Sequence, residues 1–374
     1  MKIGILTFHS GPNYGGFLQA WHMREAVRNF GYEAEIINYQ NSMHASSENP
    51  TLPSLSLRDV KGFAWNWLKR RPFKPWIAEL CSTPLIQDPE LVDWESYHLV
   101  IVGSDVVWDF SNQRYGADRV YFGAHESQKN TDFIAYAPSF GEAMPGQERP
   151  DFIDSGLQRF SAIRVRDDNS ATIVEEALGD RPEVICDPTW LNDTEPALLE
   201  PPKFKERYIV VYGPELGDQR LNVLRDYART RGLKIVSAGT PCKLADKVYH
   251  SLTPTQWLAL IKNAEGVVTS TLHGSHYAMK FSRPMVFLEG PNSRLKARKA
   301  IEMAGRIGCW LPMGEELDLQ HLTKWLDPDQ VVPPMPIDWI CRSREIFRKD
   351  LSDIVGPATS LSTKALDSLD ENCI

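Results

Sequence analysis

Continuous apolar runs alternate along this chain with polar turns and helix-period stretches. Residues 2–8 (KIGILTF) are an unbroken apolar run, the pattern of a parallel strand covered on both faces. A Gly-rich loop, HSGPNYGG, follows. Residues 17–30 then place Leu18, Met23, Ala26 and Val27 at helical spacing, with Gly31 where a C′ glycine ends a helix. Further strands are predicted over 34–39, 97–103, 133–137, 163–167, 183–186, 208–212, 234–238, 266–269 and 284–288. Helices are predicted over 217–231, from Thr253-Pro254 onward, from Gly274 onward and over 337–354. Strands alternating with helices in this way define an α/β chain with parallel sheets.

At 374 residues the chain exceeds one ordinary core and is expected to form two domains. Residues 191–205 (LNDTEPALLEPPKFK), rich in Pro and Glu and without strand periodicity, mark the boundary. The expected organisation is an N-terminal domain over 1–195 with an insert at 43–90, and a C-terminal domain over 205–330. A closing helix over 336–354 packs back on the first domain, and a polar tail over 355–374 frays. The formal net charge of −8 argues against a nucleic-acid partner. Six cysteines lie scattered without CxxC or zinc spacing, which suits a reduced, cytoplasmic chain. The start, MKIGILTF, lacks the apolar core and cleavage site of a signal peptide. No apolar run approaches the roughly 20 residues that span a bilayer.

Residues 58–76 (RDVKGFAWNWLKRRPFKPW) interleave aromatic and basic side chains. Two readings are open. One is an interfacial helix touching the inner face of a membrane. The other is a short helix whose aromatics pack on the protein, favoured because Pro72 and Pro75 cut the helix short.

Candidate chemistry gathers where strands end, since ligands of open α/β sheets bind beyond the carboxyl ends of strands. His273 stands in the turn after the 266–269 strand, directly before Gly274. Locally it is either a functional residue or a capping one. Asp105 and Asp187 end two other strands, each a base, an orienting group or a turn cap. Arg166 ends a third, as an anion ligand or the partner of Asp167 or Asp168 in a surface ion pair. The first Gly-rich loop offers His9, Asn13, Tyr14 and Gly15, which either contact a ligand or build the turn. His276 is a second ligand contact or, more in keeping with its place, a packed histidine. With His273 it has no acidic or cysteine neighbour in sequence, so no metal site is expected.

Six motifs in order, KIGILTFHSGPNYGGFLQAW, VIVGSDVVWD, IAYAPSFG, IRVRDDNS, CDPTWL and VVTSTLHGSHYAMKFSRP, resemble the polysaccharide pyruvyl transferase family over residues 1 to about 290. The resemblance implies two Rossmann-like domains facing a cleft, similar to the GT-B fold. It implies transfer of a pyruvyl group from phosphoenolpyruvate onto two sugar hydroxyls as a cyclic ketal. The family's His-Gly histidine falls on His273 and the arginine of its Ser-Val-Arg-Glu motif on Arg166. Two departures stand out. Val106 and Asp109 replace the usual glutamine and asparagine, and Arg-Val-Arg-Asp replaces Ser-Val-Arg-Glu.

The chemistry suits these residues. Protonating the methylene of phosphoenolpyruvate needs a general acid, and histidine has the right acidity. An anionic donor calls for an arginine fork, here Arg166. The helix start at Thr271, Gly274 and Ser275 adds donor-binding groups. His9, Asn13, Tyr14 and Gly15 are then candidates for the acceptor, a saccharide or lipid-linked saccharide. Phosphoenolpyruvate is substrate, and no cofactor is expected. Two other readings compete. One is a GT-B-like glycosyltransferase using a nucleotide sugar, for which Glu289 is the sole candidate ribose clamp. The other is a non-catalytic saccharide-binding protein on the same scaffold.

Overall fold

The computed structural model describes residues 1–48, 67–193, 195–197, 200–201, 203–213, 218–290, 293–327 and 335–358. The chain divides into two compact units. Unit 1 comprises Met1–Ser54, Pro75–Thr194 and Ile337–Ile374; unit 2 comprises Leu55–Lys74 and Glu195–Pro336.

Unit 1 is built on six parallel strands among the described residues: β1 (Lys2–Leu6), β2 (Glu33–Ile36), β3 (Leu99–Val102), β4 (Phe133–Tyr136), β5 (Phe160–Val165) and β6 (Glu183–Val184). Their order is β2-β1-β3-β4-β5-β6. Helix α1 (Tyr14–Asn29) joins β1 to β2, and α2 (Asp168–Leu178) joins β5 to β6. β3 and β4 are buried at every position. Their apolar runs are unbroken because helices or loops cover both faces. Leu6, Val100, Trp108, Phe122, Phe140 and Phe160 belong to one core cluster, and full burial of such a side chain stabilises by about 1.5–3 kcal/mol.

Unit 2 has the strands β7 (Tyr208–Tyr212), β8 (Lys234–Ala238), β9 (Lys247–Tyr249), β10 (Gly266–Thr269), β11 (Met285–Leu288) and β12 (Trp310–Leu311). They run parallel in the order β12-β11-β10-β7-β8-β9. Its helices are α3 (Asp218–Thr230), α4 (Pro254–Lys262), α5 (Leu272–Lys280), α6 (Arg294–Met303) and α7 (Leu319–Leu326). Thr253 caps α4 in a capping box with Gln256, with Pro254 in its first turn. Both sheets are therefore doubly wound. Each has a point where the strand order reverses: between β1 and β3 in unit 1, and between β7 and β10 in unit 2. Ligands of such sheets bind there.

The last helix, α8 (Ile337–Val355), belongs to unit 1. Phe347 lies against Tyr136 and Phe30, with ring centroids at 4.2 and 5.7 Å. Trp339 Nε1 donates to the Val184 carbonyl at 3.2 Å, and Ser343 Oγ accepts from Cys186 N at 3.0 Å. Arg164 grips Asp350 through Nε and Nη2, both at 2.9 Å. The arginine that departs from the family's serine thus ties α8 to β5.

One expectation is corrected. The 43–90 insert is not wholly part of the first domain: its described residues 67–74 group with unit 2. Residues 49–66, which include the first part of the aromatic-basic segment (58–66), lie outside the described residues. Within the rest, the helix that includes residues 67–70 ends at Arg70, just before Pro72, as expected. Arg71–Phe73 forms a 3₁₀ turn and Lys74–Leu80 a new helix, in which Pro75 occupies a first-turn position that needs no N–H donor. Trp67 and Leu68 are exposed, Phe73 is buried, and Trp76 meets Phe17 edge-on at 6.2 Å. Cys81, Cys186, Cys242 and Cys309 are free thiols. Among the described residues no helix is long and apolar enough to cross a membrane.

Candidate functional site

In unit 1 the chemistry sits at the carboxyl ends of β3, β5 and β6. Arg166 follows β5 directly and Asp187 lies three residues past β6. The two strands pair in parallel, with Val165 opposite Val184, so their extensions bring these side chains together. Arg166 Nη1 donates to Asp187 Oδ2 at 2.9 Å, with the two side chains 3 % and 0 % exposed. This is a buried ion pair, not the surface pair with Asp167 or Asp168. Asp167 instead caps α2, accepting from Ser170 N at 2.7 Å, and takes the Ser139 hydroxyl at 2.7 Å. The other Asp187 oxygen accepts from Thr189 N at 3.0 Å and Thr189 Oγ1 at 2.8 Å. Ser104 Oγ lies 3.3 Å from Asp187 Oδ2 and 3.4 Å from Arg166 Nη1.

Arg166 is not fully used. Its Nε and Nη2 are buried and make no hydrogen bond among the described residues. These two nitrogens form the side-on edge of the guanidinium, whose parallel N–H bonds match two oxygens of a carboxylate or phosphate. A buried donor without an acceptor costs about 1–3 kcal/mol, more for a charged group. Asp105 Oδ1 stands 4.0 Å from Nη2 and accepts from Val106 N at 2.9 Å.

The loop carrying Ser104 and Asp105 is set by its backbone. At Gly103 φ is +114°, and a Cβ would lie 2.3 Å from the Tyr136 carbonyl oxygen, so only glycine fits. Asp105 itself takes φ 68°, a left-handed conformation that Asp tolerates. Thr7 Oγ1 donates to the Ser104 carbonyl at 3.0 Å and accepts from Gln19 Nε2 at 2.9 Å. A chain of buried polar groups therefore runs from α1 to the arginine. Ser104, Thr7 and Gln19 were not singled out from sequence. The Gly-Ser-Asp turn was a signal for the first; nothing local marked the other two. Cys186, beside Asp187, has its thiol pushed up to about 12 by burial, which removes it as a nucleophile near neutral pH.

The first Gly-rich loop is held largely by its own side chains. His9 is 2 % exposed. Its Nδ1 lies 2.8 Å from the Thr7 carbonyl and its Nε2 2.9 Å from Asn38 Oδ1. Tyr14 is fully buried. Gly15 N donates to the Asn13 side chain at 3.0 Å, so Asn13 is the N-cap of α1. His9 and Tyr14 therefore hold the loop from inside, the turn-building alternative. Asn13 remains exposed.

In unit 2, β10 ends at the reversal of strand order and delivers His273 into the first turn of α5. Thr271 caps that helix, accepting from Gly274 N at 3.1 Å. His273 and His276 are buried, with ring centroids 5.7 Å apart. Two of the expected donor contacts make hydrogen bonds within the helix start. Ser275 N donates to the Thr271 carbonyl at 3.1 Å and Ser275 Oγ to the Leu272 carbonyl at 2.6 Å. Its side chain is spent inside the helix, and Gly274 N is spent on the cap. Gly274 is nonetheless required, since a Cβ there would lie 2.2 Å from Thr269 Oγ1.

Two doubly wound units in one chain define a GT-B-like α/β fold. Solved structures share it. The S. aureus MnaA–UDP co-structure matches at 12% identity and TM-score 0.52, covering 95% of this chain and 98% of its own. A putative UDP-N-acetylglucosamine 2-epimerase from Listeria monocytogenes matches at 10% identity and TM-score 0.52, covering 94% and 96%. At these identities the likeness is one of fold. No curated protein matches the chain in sequence. The family model for polysaccharide pyruvyl transferase matches residues 13–291, and the chain belongs to that family.

Proposed function

We propose that the protein transfers the pyruvyl group of phosphoenolpyruvate onto two hydroxyls of a saccharide or lipid-linked saccharide of the cell surface, forming a ketal and releasing phosphate. The observation that carries this reading is the open Nε/Nη2 edge of the buried Arg166. It is a rigid two-point receptor for an oxyanion, held in place by Asp187. In this reading Arg166 anchors the anionic donor. His273, at the start of α5, protonates the donor's methylene carbon, a step for which a positioned acid contributes about 10²–10⁴-fold. The attacking hydroxyl bonds to the adjacent carbon, phosphate leaves from that carbon, and the second hydroxyl closes the ketal.

A nucleotide-sugar glycosyltransferase is the competing reading. It is disfavoured because Glu289 is buried and its Oε2 accepts from Trp310 Nε1 at 2.9 Å. That carboxylate serves the fold at the end of β11 and is not offered to a ribose. The test is thermal unfolding with phosphoenolpyruvate, UDP-N-acetylglucosamine or GDP-mannose. A ligand at 100 times its Kd stabilises by about 2.7 kcal/mol. Phosphoenolpyruvate should raise the Tm of the wild type and leave Arg166→Met unmoved. Stabilisation by a nucleotide sugar alone would reverse the choice.

A further inference from the structure

Attack by a sugar hydroxyl needs a base, and two carboxylates stand near Arg166. Building on the pyruvyl-transfer reading, we infer that Asp105 is the base and that Asp187 only orients the arginine. The two differ in what their oxygens are doing. Asp187 is 1 % exposed; one oxygen accepts from Arg166 and the other from both the N–H and the hydroxyl of Thr189. A proton delivered there would break the pair that fixes the guanidinium. Asp105 has one oxygen committed, Oδ1 to Val106 N at 2.9 Å, while Oδ2 makes no hydrogen bond among the described residues. Its side chain is 15 % exposed.

The position of Asp105 fits the role. Its carboxylate is 4.0 Å from Nη2, one of the two unused donors of Arg166. On its other side a methyl placed on Gly16, in the first turn of α1, would lie 3.6 Å from Oδ2. Asp105 thus sits between β1 and β3, where the strand order of unit 1 reverses and a ligand is expected. A hydroxyl donating to Oδ2 would stand beside a donor held by the Nε/Nη2 edge. The left-handed backbone at Asp105 and the Val106 hydrogen bond fix the free oxygen in that direction.

The proton balance closes. As the first hydroxyl oxygen bonds to the cationic donor carbon, its proton passes to Asp105 Oδ2. When the carbon–oxygen bond to phosphate breaks, Asp105 returns that proton to the departing phosphate. The second hydroxyl closes the ring, and its proton restores the acid that had protonated the methylene.

The isosteric variants Asp105→Asn and Asp187→Asn test the assignment by calorimetry with phosphoenolpyruvate alone, which needs no acceptor. Removing a negative charge beside the bound anion should tighten the Kd of D105N at least about fivefold. D187N frees Arg166 and should weaken binding at least about tenfold. On an acceptor that the wild type converts, D105N should lose phosphate release by about 10²-fold or more. Unchanged or weaker binding in D105N overturns the inference, as does full turnover by that variant. Failure of the wild type to bind phosphoenolpyruvate is a different result and strikes the donor reading itself.

Discussion

Removal of one partner of the buried ion pair probes the centre of unit 1. Asp187→Ala leaves the Arg166 guanidinium, 3 % exposed, with only the Ser104 hydroxyl at 3.4 Å and the Asp105 carboxylate at 4.0 Å. It also removes the acceptor of the Thr189 N–H and hydroxyl. Breaking a buried pair on one side costs about 3–5 kcal/mol. Asp105 offsets part of this, which places the expected loss near 3 kcal/mol. The double variant Arg166→Met with Asp187→Leu replaces the pair by apolar groups of similar size. Such replacements are often neutral or stabilising, so it should return to within about 1 kcal/mol of the wild type while losing phosphoenolpyruvate binding. Two units need not unfold as one. The readout is therefore amide hydrogen exchange of β5 and β6 together with urea unfolding. A loss under about 1 kcal/mol in D187A, or a double variant as unstable as the single, would refute the buried-pair reasoning.

Other outcomes follow from single contacts. Phe347→Ala empties a fully buried position between Tyr136 and Phe30 and should cost about 3–5 kcal/mol in urea unfolding. Gly274→Ala drives a Cβ to 2.2 Å from Thr269 Oγ1; it should destabilise by about 1–3 kcal/mol and lower turnover through displaced His273. Burial holds the His321 imidazole below its ordinary value. The unfolded chain then binds the extra proton first, so this group's contribution is complete above the unfolded value and is lost as pH falls from there through the lower folded value. His321→Gln should flatten that acid-side loss of Tm.

Much of the fold was legible because parallel strands covered on both faces read as unbroken apolar runs, as LVIV in β3 and GVVT in β10 do. The edge strands β9 and β12, three and two residues long, carry no such run and escaped notice. Strand ends marked Asp105, Arg166, Asp187 and His273 one at a time. Sequence did not show that Arg166 pairs with Asp187, since that depends on the register of β5 against β6. Nor did it show that His9 turns inward, which is decided by Thr7 and by Asn38, 29 positions away. The roles of Ser275 and Gly274 within the helix cap were hidden for the same reason: a polar residue at a helix start reads alike whether it serves a ligand or the backbone.

The central claim, pyruvyl transfer, is tested most directly by following the carbon. The protein is incubated with ¹³C-labelled phosphoenolpyruvate and a panel of saccharides bearing neighbouring hydroxyl pairs, and the products are read by NMR. The proposed reaction places the label on a saccharide as a methyl ketal, with one inorganic phosphate released per ketal formed, and loses both signals in His273→Ala. Phosphate release with the label left in free pyruvate, or ketal formation undiminished in His273→Ala, would contradict it.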